Sequence, residues 1–147
     1  MTLEQTFSGL AALGQKPLIT YYTGGYPDLL TSLKNIELCT RAGADIIEVG
    51  LPFSDPVADG PVIQHTSCAA LKTGVNSEDI LEGLADMQLS VPLVVMTYAN
   101  PVIQVGIEKF LDMCREADIA GIIIPDMPFE AAHELTSGRR VNDIDVI

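Results

Sequence analysis

Residues 46–61 combine a buried strand with acidic side chains that follow it directly. Glu48 stands among the apolar residues of the strand, and Asp59 lies eleven positions later, in a loop that begins at Gly50 and Pro52. Burying an ionised carboxylate is costly unless it has a partner. Glu48 is therefore predicted to be present for chemistry, with Asp59 as the second member of a carboxylate pair.

General acid–base catalysis is the chemistry that this pair suits best. Ile47 and Val49 flank Glu48, and desolvation by such neighbours should raise its pKa. A carboxyl group of this kind both accepts and donates a proton near neutral pH. Asp59, in a more polar loop, should keep its charge and accept a hydrogen bond from an N–H donor. Two structural interpretations stay open: an interior Glu48 paired with an arginine, and Asp59 as an Asp-Gly turn.

Other chemistries find weaker support in the sequence. None of the four lysines lies at the C-terminal end of a predicted strand, which disfavours Schiff-base catalysis. His65 and His133 fall on predicted helices, where surface or packing roles are the simpler interpretation. Asp55 and Asp59 are oxygen ligands of the type that Mg²⁺ takes, but aspartates in loops more commonly form turns. Ser54 lies outside any GxSxG elbow.

The composition argues against two classes of partner. Twenty acidic and eight basic residues give a net charge of −12, which argues against nucleic-acid binding and against docking on an anionic membrane. No secretory signal is recognisable near the N-terminus, and the apolar runs are too short to span a bilayer. Cys39, Cys68 and Cys114 are widely spaced and odd in number, so we expect reduced core thiols in a cytoplasmic protein.

Helical and strand patterns alternate along the chain. Hydrophobic periodicity and capping residues predict helices at 2–13, 28–42, 62–72, 78–87, 107–117 and from 129 to about 135. Strands are predicted at 17–22, 45–49, 91–96, 120–124 and 144–146, the last being only the start of a fifth strand. Residues 98–101 are predicted to be a turn that closes the third strand.

The predicted strands indicate an α/β fold with a parallel sheet. Strands two to four are continuous runs of Val, Ile and Leu, the pattern of parallel strands that are covered on both faces. Serial strand–helix units leave two candidates for residues 1–147 as a single domain: an open doubly wound sheet or a (β/α)8 barrel. Both place their sites at the C-terminal edge of the strands. The absence of a GxGxxG or GxxxxGK[ST] motif weighs against a nucleotide-binding sheet.

Four motifs carry a resemblance to a known family. They are IEVGLPFSDPVADGP at 47–61, TGGYPD at 23–28, MTYANP at 96–101 and PDMP at 125–128. With these motifs in this order, the chain resembles the N-terminal half of the alpha subunit of tryptophan synthase, from about Phe7 to Glu134. The resemblance implies a (β/α)8 TIM barrel. This chain would supply about four βα units, the start of strand five and an N-terminal helix.

The resemblance also implies a reaction and a partner. The family cleaves indole-3-glycerol phosphate to indole and glyceraldehyde 3-phosphate, without a metal or an organic cofactor in the alpha chain. The indole passes to a beta subunit, which carries PLP, in an α2β2 complex. Transferred to this sequence, Glu48 would protonate indole C3 and deprotonate the glycerol hydroxyl. Asp59 would bind the indole N–H and stabilise the charge that develops there.

Further residues receive roles only through the resemblance. The positions that would line the indole pocket are Tyr21, Met96, Tyr98 and Ile123. The loop positions that would face the beta subunit or close the site are Pro52, Asp55, Asn100 and Asp126. Ordinary core packing is the alternative for the first group, and turn formation is the alternative for the second.

The length of the chain departs from the family pattern. A (β/α)8 barrel typically takes about 250 residues, and the phosphate-binding loops after strands seven and eight have no counterpart here. We therefore expect impaired activity, because binding energy from a remote phosphate normally supports the chemical step. Two alternatives remain: a non-catalytic module that binds a beta subunit or a second half-barrel, and a different cofactor-free barrel lyase or isomerase. Open sheet edges also predict self-association.

Overall fold

The structure, a computed structural model, describes residues 1–128, 130–131 and 144–147. The helices are α1 (Leu3–Ala12), α2 (Leu29–Arg41), α3 (Pro61–Lys72), α4 (Ser77–Ala85), α5 (Ala99–Val105) and α6 (Ile107–Glu116). The strands are β1 (Ile19–Thr23), β2 (Ile46–Gly50), β3 (Leu93–Met96), β4 (Ile119–Ile123) and β5 (Asp145–Val146). After the N-terminal helix, strands are followed by one helix (after β1) or by two (after β2 and after β3).

The strands form one parallel sheet in the order β1-β2-β3-β4-β5. Each strand pairs with the next one in sequence, so the loops after β1, β2, β3 and β4 all emerge at the same edge. Sequential parallel pairing through helical crossovers is the pattern of a (β/α) barrel wall, whereas doubly wound sheets reverse their strand order. The prediction of a parallel α/β fold is confirmed.

Local capping explains where several helices begin. Thr2 and Gln5 form a capping box at the start of α1, and Asn76 and Asp79 form another at α4. The carboxylate of Asp28 accepts hydrogen bonds from the backbone N–H and the hydroxyl of Thr31 at the start of α2. These side chains satisfy N–H groups that the first helical turn leaves without partners.

The main core lies on the face of the sheet against which α2, α4 and α6 pack. Its fully buried members include Ile36, Val49, Leu84 and Cys114. The opposite face carries a smaller cluster, in which Leu3 of α1 packs against buried apolar residues of β2, β3 and β4 (Ile46, Val94 and Ala120). This opposite face, which we call the inner face, is where the functional side chains described below are found.

The structure adds a helix that the sequence analysis missed. Residues 98–101 were predicted to be a turn, but α5 begins at Ala99 and includes Asn100 and Pro101. Pro101 occupies the third helical position, where the missing N–H costs nothing because the first turn has no intrahelical acceptor for it. The remaining described elements agree with prediction to within two residues at most boundaries. The helix predicted from residue 129, and His133 on it, lie outside the described residues.

The cysteines only partly match their prediction. Cys114 is buried, and burial raises the pKa of its thiol to about 12, so it is an inert core thiol. Cys39 is half-buried, and Cys68 is exposed on α3, so the expectation that all three would be core residues is wrong. The three thiols are free. In the described part of the chain, no helix is long and apolar enough to cross a membrane.

The Asp28 cap should make the stability of the fold depend on acid pH. The hydrogen bonds from Thr31 hold the pKa of Asp28 below its ordinary value of 3.8. Its stabilisation is therefore present above pH 3.8 and is lost as the pH falls through the lower, folded-state pKa. We expect Asp28→Asn to unfold at a lower urea concentration than the parent at neutral pH, with the difference shrinking in acid. A difference that stays constant over this pH range would contradict the assignment.

Candidate functional site

The register of the sheet brings four of the predicted site residues to the inner face. Tyr21 of β1 is the cross-strand partner of Glu48 on β2. Two residues further along the strands, Gly50, Met96 and Ile123 are partners across β2, β3 and β4. Alternate residues of a strand share a face, so Tyr21, Glu48, Met96 and Ile123 all point to the same side. They form two successive levels near the C-terminal edge.

An open cavity of about 510 Å³ lies over the inner face. Glu48 is part of its lining, and the other residues of β2, β3 and β4 that border it are Ile46, Val94 and Ile123. Leu3 and Phe7 of α1 also line it. The lining is therefore mostly apolar, with Glu48 and Asp145 as its acidic residues. An apolar recess with a few polar groups is the arrangement that small-molecule sites commonly show.

The environment of Glu48 shifts its proton affinity upward. Burial among the apolar side chains raises the pKa of Glu48 above its ordinary value of 4.5, and the negative charge of Asp59 raises it further. A carboxyl group with a raised pKa is protonated to a larger fraction near neutral pH than an exposed glutamate, so it is better able to donate a proton as well as accept one. The predicted direction of the shift is confirmed, and the two carboxylates are close enough for their charges to interact.

Asp59 is held by the side chain of Tyr98. The Tyr98 hydroxyl donates a hydrogen bond to Asp59 Oδ2 at 3.0 Å and accepts one from the Ala58 backbone N–H at 3.0 Å. The ring of Phe53 lies against the ring of Tyr98, with 5.2 Å between centroids. The loop from Leu51 to Gly60 therefore meets Tyr98 at three points. Burial is the main cause that raises the pKa of Tyr98, so its hydroxyl stays protonated and able to donate.

Tyr21 occupies the space above Gly50. A Cβ atom built on Gly50 would lie 2.0 Å from the Tyr21 hydroxyl oxygen, so only glycine permits this approach. The hydroxyl oxygens of Thr23 and Thr66 are 2.7 Å apart, at the end of the same strand as Tyr21. Burial raises the pKa of Tyr21, and the charges of both carboxylates add to the shift. The Tyr21 hydroxyl is thus close enough to the carboxylate pair to interact with both charges.

Comparison with known proteins identifies a family to which this chain is similar. A sequence model of the family described as "Tryptophan synthase alpha chain" matches residues 7–147. The tryptophan synthase alpha chain of Carboxydothermus hydrogenoformans is 45% identical over 147 residues, covering 99% of this chain and 55% of that protein. The alpha chain of Arabidopsis thaliana is 37% identical, covering 99% and 54%.

This chain belongs to the tryptophan synthase alpha chain family.

Solved structures of the family share the fold. A crystal structure of tryptophan synthase from Mycobacterium tuberculosis, in an aminoacrylate-bound form, superposes with a TM-score of 0.91 at 34% identity, covering 98% of this chain and 59% of that one. The alpha subunit from Legionella pneumophila gives 0.85 at 33%, covering 90% and 52%. The chain spans about half the length of the curated relatives that it matches. The five parallel strands are thus part of a TIM barrel, as the resemblance implied.

The residues expected to face a partner divide into exposed and buried positions. Asp55, Asn100 and Asp126 are exposed at the C-terminal edge. Pro52 is buried, so its own side chain is not offered to a partner in this structure. Asn100 is not on a loop, because it belongs to the first turn of α5. Asp126 has a structural contact as well, since its Oδ1 accepts a hydrogen bond from the Ala99 N–H at the start of α5.

Sequence reasoning missed the contacts that hold the site together. Tyr98 was predicted to line the indole pocket, and its bond to Asp59 was not foreseen. Thr66 on α3 and its contact with the Thr23 hydroxyl were not identified either. The only sequence signal for the Tyr98 contact was its place directly after a strand that neighbours β2, at the edge where Asp59 also lies. Within the residues that the structure describes, no group of three or more His, Cys, Asp or Glu side chains is arranged to hold a metal ion.

Substituting Gly50 should disturb the inner face through Tyr21. In Gly50→Ala the new methyl group would overlap the Tyr21 hydroxyl and the ring carbon that carries it, at 2.0 and 2.6 Å. Overpacking of this kind costs about 1–3 kcal/mol, which urea unfolding measures. The control is Gly9→Ala in α1, where nothing lies within 4 Å of the added Cβ. Unchanged stability of Gly50→Ala would show that Tyr21 does not rest on Gly50.

Glu48 should lower the stability of the fold as the pH rises. Its folded-state pKa lies above the ordinary value of 4.5, so the folded protein holds this proton more tightly than the unfolded chain. The resulting stabilisation is complete below pH 4.5 and is lost as the pH rises through the folded-state pKa. We expect Glu48→Gln to gain free energy of unfolding relative to the parent between pH 4.5 and neutrality. Asp28→Asn serves as the comparison, because its difference from the parent changes at lower pH.

Proposed function

We propose that this chain carries the catalytic pair for the aldol cleavage of indole-3-glycerol phosphate to indole and glyceraldehyde 3-phosphate. The observation that carries the proposal is the half-buried Glu48, with a raised pKa, bordering an apolar cavity. Asp59 interacts electrostatically with it from the adjoining loop. The family is a lyase family, and the relatives that the chain matches are about twice as long. The activity of the chain is therefore a proposal to be tested.

The chemistry follows from the properties of the two carboxyl groups. The bond between indole C3 and the glycerol carbon breaks when C3 gains a proton and the neighbouring glycerol hydroxyl loses one, which forms the aldehyde. Glu48 is the group that delivers and receives these protons, because burial raises its pKa above that of an exposed glutamate. Asp59 accepts a hydrogen bond from the indole N–H and stabilises the positive charge that develops on the ring as C3 is protonated. In this proposal the steps use no cofactor in this chain.

Substrate orientation comes from the apolar inner face. Met96 and Ile123 stand at the level above Glu48, and Tyr21 stands beside it on β1. An indole ring placed against these side chains would bury apolar surface, which contributes about 25 cal/mol per Å². The glycerol phosphate would then extend towards the C-terminal edge of the strands, the edge at which TIM-barrel sites bind substrate.

A beta subunit is the proposed protein partner. A solved structure with the same fold is tryptophan synthase from Mycobacterium tuberculosis, which supports an assembly of this kind. Asp55, Asn100 and Asp126 are exposed at the C-terminal edge of the sheet, so a partner bound there would adjoin the edge at which the site lies. In such an assembly, PLP would belong to the beta subunit.

The end strands support a second kind of association. Leu18 and Ile19 at β1 are 53% and 48% exposed, and Val146 on β5 is 41% exposed. Apolar end strands with free backbone groups pair readily with other strands. We propose that they pair with further barrel strands or with a second copy of the chain. Sedimentation at several concentrations identifies which species is present in the assay below.

An indole-release assay tests the proposal. The chain, alone and with a beta subunit, is incubated with indole-3-glycerol phosphate, and free indole is separated and quantified. We expect slow release, because the chain spans about half of its relatives' length and remote phosphate binding normally supports the chemical step. Glu48→Gln should lower the rate by at least about 100-fold, since a positioned acid–base group contributes on the order of 10²–10⁴.

Glu82→Gln is the matched control. Glu82 is exposed on α4, so the same carboxylate-to-amide change there should leave the rate unaltered. Release that is equal in the parent and Glu48→Gln would contradict the catalytic assignment. No release together with binding of the beta subunit would identify the chain as a non-catalytic binding module.

A further inference from the structure

The loop from Leu51 to Gly60 is attached to the sheet at a small number of points. At its start, the Leu51 N–H donates to the Met96 carbonyl at 2.8 Å, which extends the β2–β3 ladder by one residue. At its end, Gly60 is the N-cap of α3. Between these points the Asp59 N–H bonds within the loop, to the Pro56 carbonyl. Tyr98 supplies the side-chain contacts that link the middle of the loop to the neighbouring strand.

The direction of the hydrogen bonds at Tyr98 is fixed. The Ala58 backbone N–H can only donate, so the Tyr98 oxygen accepts that bond. The hydroxyl proton is thereby directed to the remaining neighbour, Asp59 Oδ2. Hydrogen bonds to an ionised carboxylate are stronger than neutral ones. Tyr98 thus holds one oxygen of Asp59 and leaves Oδ1 for another donor.

The position of Tyr98 is itself determined by its surroundings. It is 2% exposed, it is the N-cap residue of α5, and Asp126 fixes the next residue through the Ala99 N–H at 2.9 Å. Its ring contacts Phe53, a residue of the same loop. A side chain so constrained is able to fix the position of its partner, since it loses little further freedom on bonding.

We propose that Tyr98 is a positioning residue that fixes the Asp59 carboxylate through its hydroxyl, in addition to any contact of its ring with the substrate. The inference rests on the proposed function, in which Asp59 binds the indole N–H. It assigns the Tyr98 hydroxyl to the loop, and it assigns Oδ1 of Asp59 to the substrate. Removing the hydroxyl should therefore disorder Asp59 while leaving the ring packing in place.

Tyr98→Phe is the variant that isolates the hydroxyl, because it keeps the ring contact with Phe53. The matched control is Tyr22→Phe, because the Tyr22 hydroxyl also accepts one bond, from Asn35 Nδ2 at 2.7 Å, and donates one, to the Tyr26 carbonyl at 3.1 Å. Tyr22 packs against the helix-covered core and takes no part in the Leu51–Gly60 loop. Both variants lose a tyrosine hydroxyl with two partners, and only one of them affects Asp59.

Amide hydrogen exchange measured by NMR provides the first test. In Tyr98→Phe we expect the Ala58 amide to exchange about 3–10 times faster, the change that losing one hydrogen bond produces. The Leu51 amide, bonded to Met96, should keep its protection and so exclude global unfolding. The carboxyl carbon resonance of Asp59 should also shift. In Tyr22→Phe both signals should match the parent. Parent-like Ala58 exchange and an unshifted Asp59 resonance in Tyr98→Phe would overturn the proposal.

Indole binding provides the second test, in a double-mutant cycle. The chain contains no tryptophan, so the fluorescence of added indole is not masked by that of the protein. Tyr98→Phe should weaken indole binding about 3–10-fold in the parent, by the loss of one well-placed hydrogen bond. It should weaken binding much less in an Asp59→Asn background, because the group that it positions has already been altered. Equal weakening in both backgrounds would mean that Tyr98 acts independently of Asp59, which would overturn the proposal.

The two tests separate failure of the inference from failure of the proposed function. If the parent binds no indole, the proposed substrate assignment fails, while the Ala58 and Asp59 signals still decide whether Tyr98 fixes the loop. If the parent binds indole but Tyr98→Phe leaves the exchange rate, the resonance and the affinity unchanged, the substrate assignment stands and the positioning role is wrong.

Discussion

In-register parallel pairing of β1, β2 and β3 is the constraint on which the candidate site depends. It makes Tyr21 and Glu48 cross-strand partners and sets Gly50 level with Met96. A shift of one residue would turn Glu48 towards the helix-covered core, where Val49 now lies. The register is fixed because the core on that face is built of buried apolar side chains, so a misplaced carboxylate there would be strongly unfavourable. Packing on one face of the sheet thus determines the chemistry on the other.

Ionised Glu48 lowers the stability of the fold, and the rest of the fold offsets this loss. Its raised pKa means that ionisation works against the folded state. Other parts of the fold supply stability. Helices α2, α4 and α6 bury an apolar core, and side-chain caps stabilise the starts of α1, α2 and α4. The unfavourable group sits on the face that these helices do not cover. Separation of the two faces allows a site with perturbed proton affinity to exist without loss of the fold.

The sequence predicted what periodicity and local chemistry control. Alternation of strands and helices, the direction of the Glu48 shift and the grouping of site residues at one sheet edge were all foreseeable. The start of α5 was not, because Asn100 and Pro101 are typical of turns and the bond that begins this helix comes from Asp126, 27 residues away from Ala99. The Tyr98–Asp59 bond joins residues 39 apart. Such contacts depend on how loops meet in space, which residue patterns do not encode.

The geometry of the carboxylate pair is local to the first three strands. The charges of both carboxylates act on Tyr21 of β1, and Tyr98 after β3 holds Asp59 and its loop. The relatives that the chain matches are about twice as long. In the proposed reaction we expect the additional length of those relatives to contribute substrate binding energy, which a catalytic pair uses but does not supply. A chain of this extent thus separates proton transfer from substrate affinity: we expect its acid–base pair to be formed while its affinity for the phosphate-bearing substrate is low.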